Sequence, residues 1–202
     1  MVPPRYRPGC RCHNPSMPSE LSNMLAGDLY LASDPQLVAM RRRARSITRL
    51  FNATREDELE TRRSLLTELF GRCTENVEIE PMFQCDYGTN IYLGDRVYMN
   101  FGCVILDCAK VTIGERTLLG PNVHLYAATH PTDPRVREGG RELARPISIG
   151  RNVWIGGGSI ICPGVTIGDN AVIGAGSVVT RDVAAGVIAA GNPCKALRQT
   201  HA

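Results

Sequence analysis

An aliphatic residue recurs at every sixth position between residues 149 and 179 of this chain of 202 residues. The six anchors are Ile149, Ile155, Ile161, Ile167, Ile173 and Val179. A period of six matches neither the period of about 3.6 residues of an α-helix nor the alternation of a simple strand. It is typical of short strands joined by tight bends, and glycine directly follows four of the six anchors. One hexapeptide cannot bury its anchor alone, so the repeats must stack as coils of a parallel β-helix.

The same period continues toward the N-terminus, with two interruptions. Further anchors are Leu93, Met99, Ile105, Ile113, Leu119 and Leu125. The eight-residue step before Ile113 indicates a small insertion at Asp107-Cys108. Residues 131–145 contain no anchor, which predicts an external loop that leaves a corner of the solenoid. We therefore expect a β-helix over residues 73–188, followed by a C-terminal tail over residues 189–202.

Helical patterns precede the repeats. Asp34-Pro35 predicts the N-cap and first turn of a helix, and a second helix is expected over about residues 56–70. These helices belong to a segment over residues 21–72. The first helix carries five arginines, which we interpret as a solvated face rather than an anion-binding site: Arg41, Arg42, Arg43, Arg45 and Arg49. Residues 1–20 contain five prolines and predict a flexible extension.

Composition excludes several classes of function. A net charge of +3, with no basic run interleaved with aromatics, predicts no nucleic-acid partner. No apolar run approaches membrane-spanning length and no signal core is present, so a cytoplasmic location and no membrane partner are expected. The eight cysteines favour reduced thiols over disulfides. Cys10-Arg-Cys12-His13 is too weak a pattern to predict a metal site.

Several stretches resemble the maltose, galactoside and nodulation-factor O-acetyltransferases, a subfamily of the hexapeptide-repeat acyltransferases. They are AGDLYLASD (26–34), DYGTNIYLGDRVYMNF (86–101), LYAATHP (125–131), the repeats over 147–183 and AAGNPCKALR (189–198). The resemblance implies an all-β solenoid, a left-handed parallel β-helix whose N-terminal helical segment lies on the acceptor side. It also implies acetyl-CoA as donor, a sugar as acceptor and a homotrimer with active sites between neighbouring subunits.

The resemblance implies that His130, in Ala-Thr-His-Pro, is the general base. A neutral imidazole with a pKa near ~6.5 can take the proton of a sugar hydroxyl, which contributes about 10²–10⁴-fold. Attack on the thioester is then direct, and no cysteine nucleophile is needed. His124 is six residues earlier, on an adjacent face, so the three-histidine zinc site of a carbonic anhydrase is not expected.

On the acceptor side, the resemblance implies that Asn100 and Asp86 bind the sugar and that Asp107 helps to shape the pocket. Glu142 matches a loop position near the acceptor, with a solvated loop acid as the alternative. Galactoside-type enzymes carry an aspartate where this chain has Ala32, and the nearby Asp34 could substitute. The identity of the acceptor therefore stays open.

On the donor side, the resemblance implies that Asn100, Ala175 and the N–H group of Gly157 contact acetyl-CoA, with the N–H group donating to the thioester oxygen. Thr180, Arg181, Lys195 and Arg198 match positions that face the nucleotide end, where positive charge suits phosphates. The alternative for each basic residue is an ordinary exposed charge.

The sequence therefore predicts an acetyl-CoA-dependent sugar O-acetyltransferase that needs no metal. Two alternatives remain. One is a xenobiotic acetyltransferase of the same fold, which would modify an antibiotic and differ in its acceptor loop. The other is a catalytically silent β-helix that serves as an assembly module.

Overall fold

The computed structural model describes residues 18–200. Short strands form three parallel sheets, which are the three faces of a prism. Face 1 consists of β4 (Ile91–Leu93), β7 (Val111–Ile113), β12 (Ile147–Ile149) and β15 (Thr166–Ile167). Face 2 consists of β2 (Glu78–Ile79), β5 (Tyr98–Met99), β8 (Leu118–Leu119), β13 (Trp154–Ile155), β16 (Val172–Ile173), β18 (Val187–Ala190) and the antiparallel β19 (Lys195–Gln199). Face 3 consists of β3 (Gln84–Cys85), β6 (Val104–Leu106), β9 (His124–Tyr126), β14 (Ile160–Ile161) and β17 (Val178–Val179).

Most of residues 1–20, the expected flexible extension, and the Cys10-Arg-Cys12-His13 pattern lie outside the described residues, which begin at Pro18. Within residues 18–200, no helix is both long and apolar enough to cross a membrane. The six cysteines of this range are free thiols, as predicted.

The register of the strands confirms the predicted β-helix. Ile149 pairs with Ile167, eighteen residues later, which is one coil of three hexapeptides. Leu93 pairs with Ile113, twenty residues later, so this coil contains the two-residue insertion predicted at Asp107-Cys108. All six anchors of the regular repeats are at most 3% exposed. Because each anchor stacks directly on the next, the interior of the prism is one continuous apolar core.

Three helices precede the solenoid: α1 (Glu20–Ala26), α2 (Pro35–Asn52) and α3 (Leu59–Leu69). The predicted N-cap of α2 is confirmed, because Asp34 Oδ1 accepts the N–H groups of Gln36 and Leu37. The second predicted helix, α3, begins a few residues later than expected. The cause is a turn before it, in which the Glu58 carboxylate accepts the N–H group of Arg55.

Helix α2 lies beside β3 at the first coil. Asn52 donates to the carbonyl of Phe83 and accepts the Phe83 N–H group, at 2.8 and 2.9 Å, next to the start of β3. Arg41, near the other end of the helix, donates to the Tyr87 hydroxyl just beyond the end of β3. The helix therefore runs along the strand in the opposite direction.

The predicted external loop is present and ordered by pairing. It contains β10 (Ala128–Thr129), α4 (Pro134–Glu138) and β11 (Arg141–Ala144). β11 pairs antiparallel with β10 and with β1 (Tyr30–Leu31), which lies between α1 and α2. The loop and the strand that enters it thus supply two of the three strands of a small sheet, and the N-terminal segment supplies the third.

Truncating an anchor should destabilise the protein far more than truncating its exposed neighbour. Ile167 is 1% exposed in the core, whereas Thr166 is exposed on face 1. We expect Ile167→Ala to lower the free energy of unfolding by about 2–5 kcal/mol and Thr166→Ala to change it by less than about 0.5 kcal/mol. Urea denaturation at a fixed protein concentration measures both. Equal effects of the two variants would contradict the assigned register.

Candidate active site

The residues predicted to carry chemistry lie along two opposite edges of face 3. We call the corner between faces 2 and 3 the 2–3 edge, and the corner between faces 3 and 1 the 3–1 edge. The 2–3 edge holds Asn100, Gly157 and Ala175, which follow strands of face 2. The 3–1 edge holds Asp86, Asp107, His130, Thr180 and Arg181, which follow strands of face 3 or the hairpin that leaves it. Residues 123–127 connect the two edges and span about 13 Å, at about 3.3 Å a residue.

The 2–3 edge is a column of small residues. A Cβ atom added to Gly156 would lie 2.5 Å from the backbone nitrogen of Ala175, because the coils stack closely. Gly158 donates its N–H group to the carbonyl of Pro121 at 2.8 Å. The N–H group of Gly157, between them, has no hydrogen-bond partner among residues 18–200. Gly157 is partly exposed, so this N–H group can donate to a ligand.

Asn100 is part of the same column. Its Oδ1 accepts the N–H group of Phe101 at 2.7 Å, which leaves the Nδ2 hydrogens for a ligand. Gly120 and Gly156 follow Asn100 in the next two coils, so Asn100 has no asparagine to pair with there. A ligand-binding role therefore suits this amide better than an asparagine ladder.

At the 3–1 edge, Asp107 is fully buried and has a structural role. Its carboxylate accepts the N–H groups of Asp86, Tyr87 and Asn90 at 3.1, 2.8 and 3.3 Å. Burial raises the pKa of Asp107 to about 7, although these backbone donors oppose the shift. Asp107 is 0% exposed and so cannot touch a ligand directly; it fixes the turn that presents Asp86.

Asp86 is half-buried at the end of face 3. Burial raises the pKa of its carboxyl, and the thiol of Cys108 and the guanidinium groups of Arg41 and Arg45 oppose that rise. The Cys108 thiol lies 3.5 Å from Asp86 Oδ2. Asp86 is therefore a partly desolvated carboxyl with one face still accessible.

Glu142 is held by a hydrogen bond within the protein and is not a freely solvated loop acid. It pairs with Tyr30 in the small sheet, and the Tyr30 hydroxyl donates to Glu142 Oε2 at 2.9 Å. The Cys108 thiol, which is 3.5 Å from Asp86 Oδ2, also lies near the Tyr30 hydroxyl. The charge of Glu142 contributes to the raised pKa of Asp86, so the two carboxyl groups lie near each other.

His130 is exposed and directly follows β10, whose Thr129 pairs with Leu143 of β11. The same small sheet thus places His130 at the end of the strand next to the one that carries Glu142.

Asp34 lies just beyond β1. Its Oδ1 is used by the cap of α2, which leaves Oδ2 for a ligand.

The residues predicted for the nucleotide end are not brought together within one chain. Thr180 and Arg181 are exposed at the 3–1 edge. Lys195 is exposed in β19, where it pairs with Ala190 beside the 2–3 edge, and Arg198 pairs with Ile188 of face 2. Within residues 18–200, no group of three or more His, Cys, Asp and Glu side chains could hold a metal ion.

Three residues of this network were not predicted from the sequence: Arg41, Tyr30 and Cys108. Arg41 donates to the Tyr87 hydroxyl at 2.7 Å and also to the carbonyl of Ala32. A signal was present, because Arg41 lies four residues after Leu37 and three before Ala44, on the buried side of α2. Cys108 lies in the predicted insertion, but a single cysteine gives no sign of its neighbours.

Comparisons with known proteins identify the family. Residues 23–74 match the maltose acetyltransferase hexapeptide capping motif, and residues 146–181 match the bacterial transferase hexapeptide of six repeats. Nodulation protein L of Rhizobium meliloti is 50% identical over 88% of this chain and 97% of its own. A crystal structure of a maltose O-acetyltransferase from Clostridium difficile superposes with a TM-score of 0.90 and 47% identity, covering 91% of this chain and 98% of that one.

The chain belongs to the hexapeptide-repeat O-acetyltransferases. A galactoside acetyltransferase solved in complex with coenzyme A is a further neighbour, with a TM-score of 0.83, 41% identity and coverage of 89% of this chain and 90% of that one. The chain is therefore an acetyltransferase. The alternative of a catalytically silent assembly module does not describe this family. The matched capping motif covers the helices that carry Asp34 and Arg41.

The buried carboxyl of Asp107 should make the stability of this acetyltransferase depend on pH. Its pKa is about 7 in the folded protein and about 3.9 in the unfolded chain. The folded state thus binds more protons between these values, and the stabilisation is complete below about pH 4 and lost as pH rises through about 7. We expect the free energy of unfolding of the wild type to fall, relative to that of Asp107→Asn, from pH 5 to pH 8. Urea titrations at each pH measure this, and parallel pH profiles would contradict it.

Proposed function

We propose that this acetyltransferase moves an acetyl group from acetyl-CoA to a hydroxyl of a sugar, with His130 as general base. The observation that carries the proposal is the division of face 3 into two chemically different edges. One edge offers an unpartnered backbone N–H group and a free amide, which suit a thioester. The other offers an exposed imidazole beside carboxyl groups, which suit a hydroxyl-bearing acceptor.

The 2–3 edge is the donor half of the site. The N–H group of Gly157 would donate to the oxyanion that forms from the thioester oxygen, and one such donor supplies about 3–4 kcal/mol of transition-state stabilisation. The Nδ2 hydrogens of Asn100, two coils earlier on the same edge, would be a second donor to acetyl-CoA. The relative solved with coenzyme A supports a CoA donor. Lys195 and Arg198 would bind the phosphates of the nucleotide from this side, and Thr180 and Arg181 from the opposite edge.

The 3–1 edge is the acceptor half. His130 accepts the proton of the sugar hydroxyl while the hydroxyl oxygen attacks the thioester carbon. The tetrahedral intermediate collapses, the C–S bond breaks, and the imidazolium returns the proton to the departing thiolate. No enzyme-bound acetyl group is formed.

Carboxylates accept hydrogen bonds from the remaining hydroxyls of the acceptor. Asp86 and Glu142 would do so directly, and Asp34 through its free Oδ2. Asp107 acts on the acceptor only through the turn that carries Asp86. The relatives named for maltose and galactoside acetylation support a neutral sugar as the group that receives the acetyl.

The two halves must come from different chains. They lie at opposite edges of face 3, about 13 Å apart along the strand, whereas reacting atoms must approach to about 3–3.5 Å. A contact between the 3–1 edge of one chain and the 2–3 edge of another is head-to-tail, and such contacts form a ring when the rotation between neighbours closes. We propose a ring of three chains with a site at each interface.

Replacing His130 should abolish transfer without abolishing donor binding. We expect His130→Ala to lower kcat by at least about 10²-fold, measured as thiol release from acetyl-CoA with glucose, maltose, a β-galactoside and a glucosamine oligomer. His124→Gln is the matched control, because His124 faces outward from face 3 and its ring bonds to the Tyr126 hydroxyl at 2.6 Å. It should retain most of the activity. A His130→Ala variant as active as wild type would refute the assignment, and turnover of an antibiotic but of no sugar would favour the xenobiotic alternative.

Two inactive variants from opposite edges should restore activity when they assemble together. His130→Ala and Asn100→Ala are unfolded separately, mixed in equal amounts and refolded. In a ring with sites between chains, about one quarter of the sites then have both halves intact, so the mixture should show about a quarter of the wild-type activity. Each variant refolded alone is the control. A mixture no more active than its components would place the whole site within one chain.

A further inference from the structure

A groove lies between α2 and face 3, at the first two coils. Its volume is ≈ 630 Å³. Small-molecule sites commonly occupy about 300–1,000 Å³. Arg45 and Arg49 line it from the helix, and Gln84, Asp86 and Leu106 line it from the strands. The groove therefore opens directly onto Asp86, the carboxyl proposed to bind the acceptor.

Two exposed arginines give the helix wall of the groove positive charge. Arg45 and Arg49 are exposed and form no salt bridge to any carboxylate among residues 18–200. The remaining segments, 1–17 and 201–202, contain no aspartate or glutamate. The two arginines are four residues apart, so both project from one side of the helix. Both side chains are exposed, as expected of a solvated face, and their position in the groove favours the alternative of an anion-binding role.

The positive charge of α2 continues along the groove beyond Asp86. Arg45 lies close enough to Asp86 to oppose the rise of its pKa. Arg49 lies one helical turn, about 6 Å, farther along the groove. A sugar held at Asp86 would therefore have a cationic side chain beside the residue attached to it, with Leu106 and Val104 offering apolar surface to a sugar ring.

The groove is not part of the donor half. Gly157 and Ala175 lie in later coils, at the 2–3 edge, whereas the groove is bounded by the first two strands of face 3 and by α2. The phosphates of the donor are assigned to Lys195 and Arg198, at the C-terminal end of the solenoid. Arg45 and Arg49 are consequently free to bind a different anion.

We propose that this groove is a second acceptor subsite, and that it selects an acceptor of at least two sugar residues with an anionic group on the residue distal to the acetylated one. A guanidinium binds paired anionic oxygens through two parallel hydrogen bonds. Both the carboxylate of a uronic acid and a phosphate monoester present such oxygens. This inference rests on the proposed function, because it places the acetylated residue at Asp86.

The test compares three disaccharides that differ only in the distal residue: maltose, glucuronosyl-α1,4-glucose and maltose 6′-phosphate. For each, kcat/KM is measured with acetyl-CoA for the wild type, Arg49→Gln and Arg42→Gln. Arg42 is the matched control, since it is exposed on the same helix but does not line the groove. We expect the wild type to prefer an acidic disaccharide over maltose, and Arg49→Gln to lower that preference by at least about 5-fold. Arg42→Gln should leave it unchanged.

The outcomes distinguish a failure of the proposed subsite from a failure of the proposed acetyltransferase activity. A preference confined to one acidic disaccharide supports the subsite and identifies carboxylate or phosphate as its ligand. An equal fall in Arg42→Gln, or no preference in the wild type, overturns the subsite while sugar acetylation stands. If neither these disaccharides nor glucose, a β-galactoside and a glucosamine oligomer are acetylated, the proposed function fails. Whenever no disaccharide is acetylated, calorimetric binding of the same three sugars to wild type and Arg49→Gln tests the groove alone. Acidic sugars bound more weakly by Arg49→Gln then support it, and equal binding overturns it.

Discussion

The stacking of one buried aliphatic side chain on the next determines the arrangement of every other feature. Ile155 pairs with Ile173 and Ile161 with Val179, and each is essentially inaccessible to water. Because the register repeats without slippage, every position of a hexapeptide forms a column along the prism. A residue type that recurs once per coil therefore forms a line of such residues along one edge of the prism. The small residues of the 2–3 edge are a line of this kind.

The first two coils depart from this regularity, and the acceptor side is built from the departure. Cys85 pairs with Ile105 twenty residues later, and Ile105 with Leu125 twenty residues later. The two extra residues of each coil lie at the 3–1 edge, where they make room for Asp86, Tyr87 and Cys108. A carboxylate buried in such a corner needs several donors, and the turn of residues 86–90 supplies three backbone N–H groups to Asp107. The widened corner and its buried acid therefore stabilise each other.

The sequence predicted what is periodic and local, and missed what is distant. The anchors, the insertion at Asp107-Cys108 and the cap at Asp34 were all correct, because each depends on a few adjacent residues. The equivalent insertion after Cys85 was not recognised, since a cysteine is a poor sign of an anchor position. The pairing of Tyr30 with Glu142 could not be predicted either, because nothing in either segment marks its partner. Five arginines in one helix looked alike, and only packing shows that Arg41 is half-buried while Arg45 and Arg49 face a groove.

The strand that supports His130 is secured by a contact between residues far apart in the chain. The Tyr30 hydroxyl and Glu142 are separated by 112 positions, so ordering this sheet closes a very long loop for a few hydrogen bonds. Closing such a loop costs more chain entropy than adding one coil to the solenoid, where neighbours are about eighteen residues apart. We therefore expect the coils and the segment that carries His130 to unfold as separate cooperative units. On warming, the segment with His130 should open before the solenoid, so that activity is lost while the solenoid is still folded.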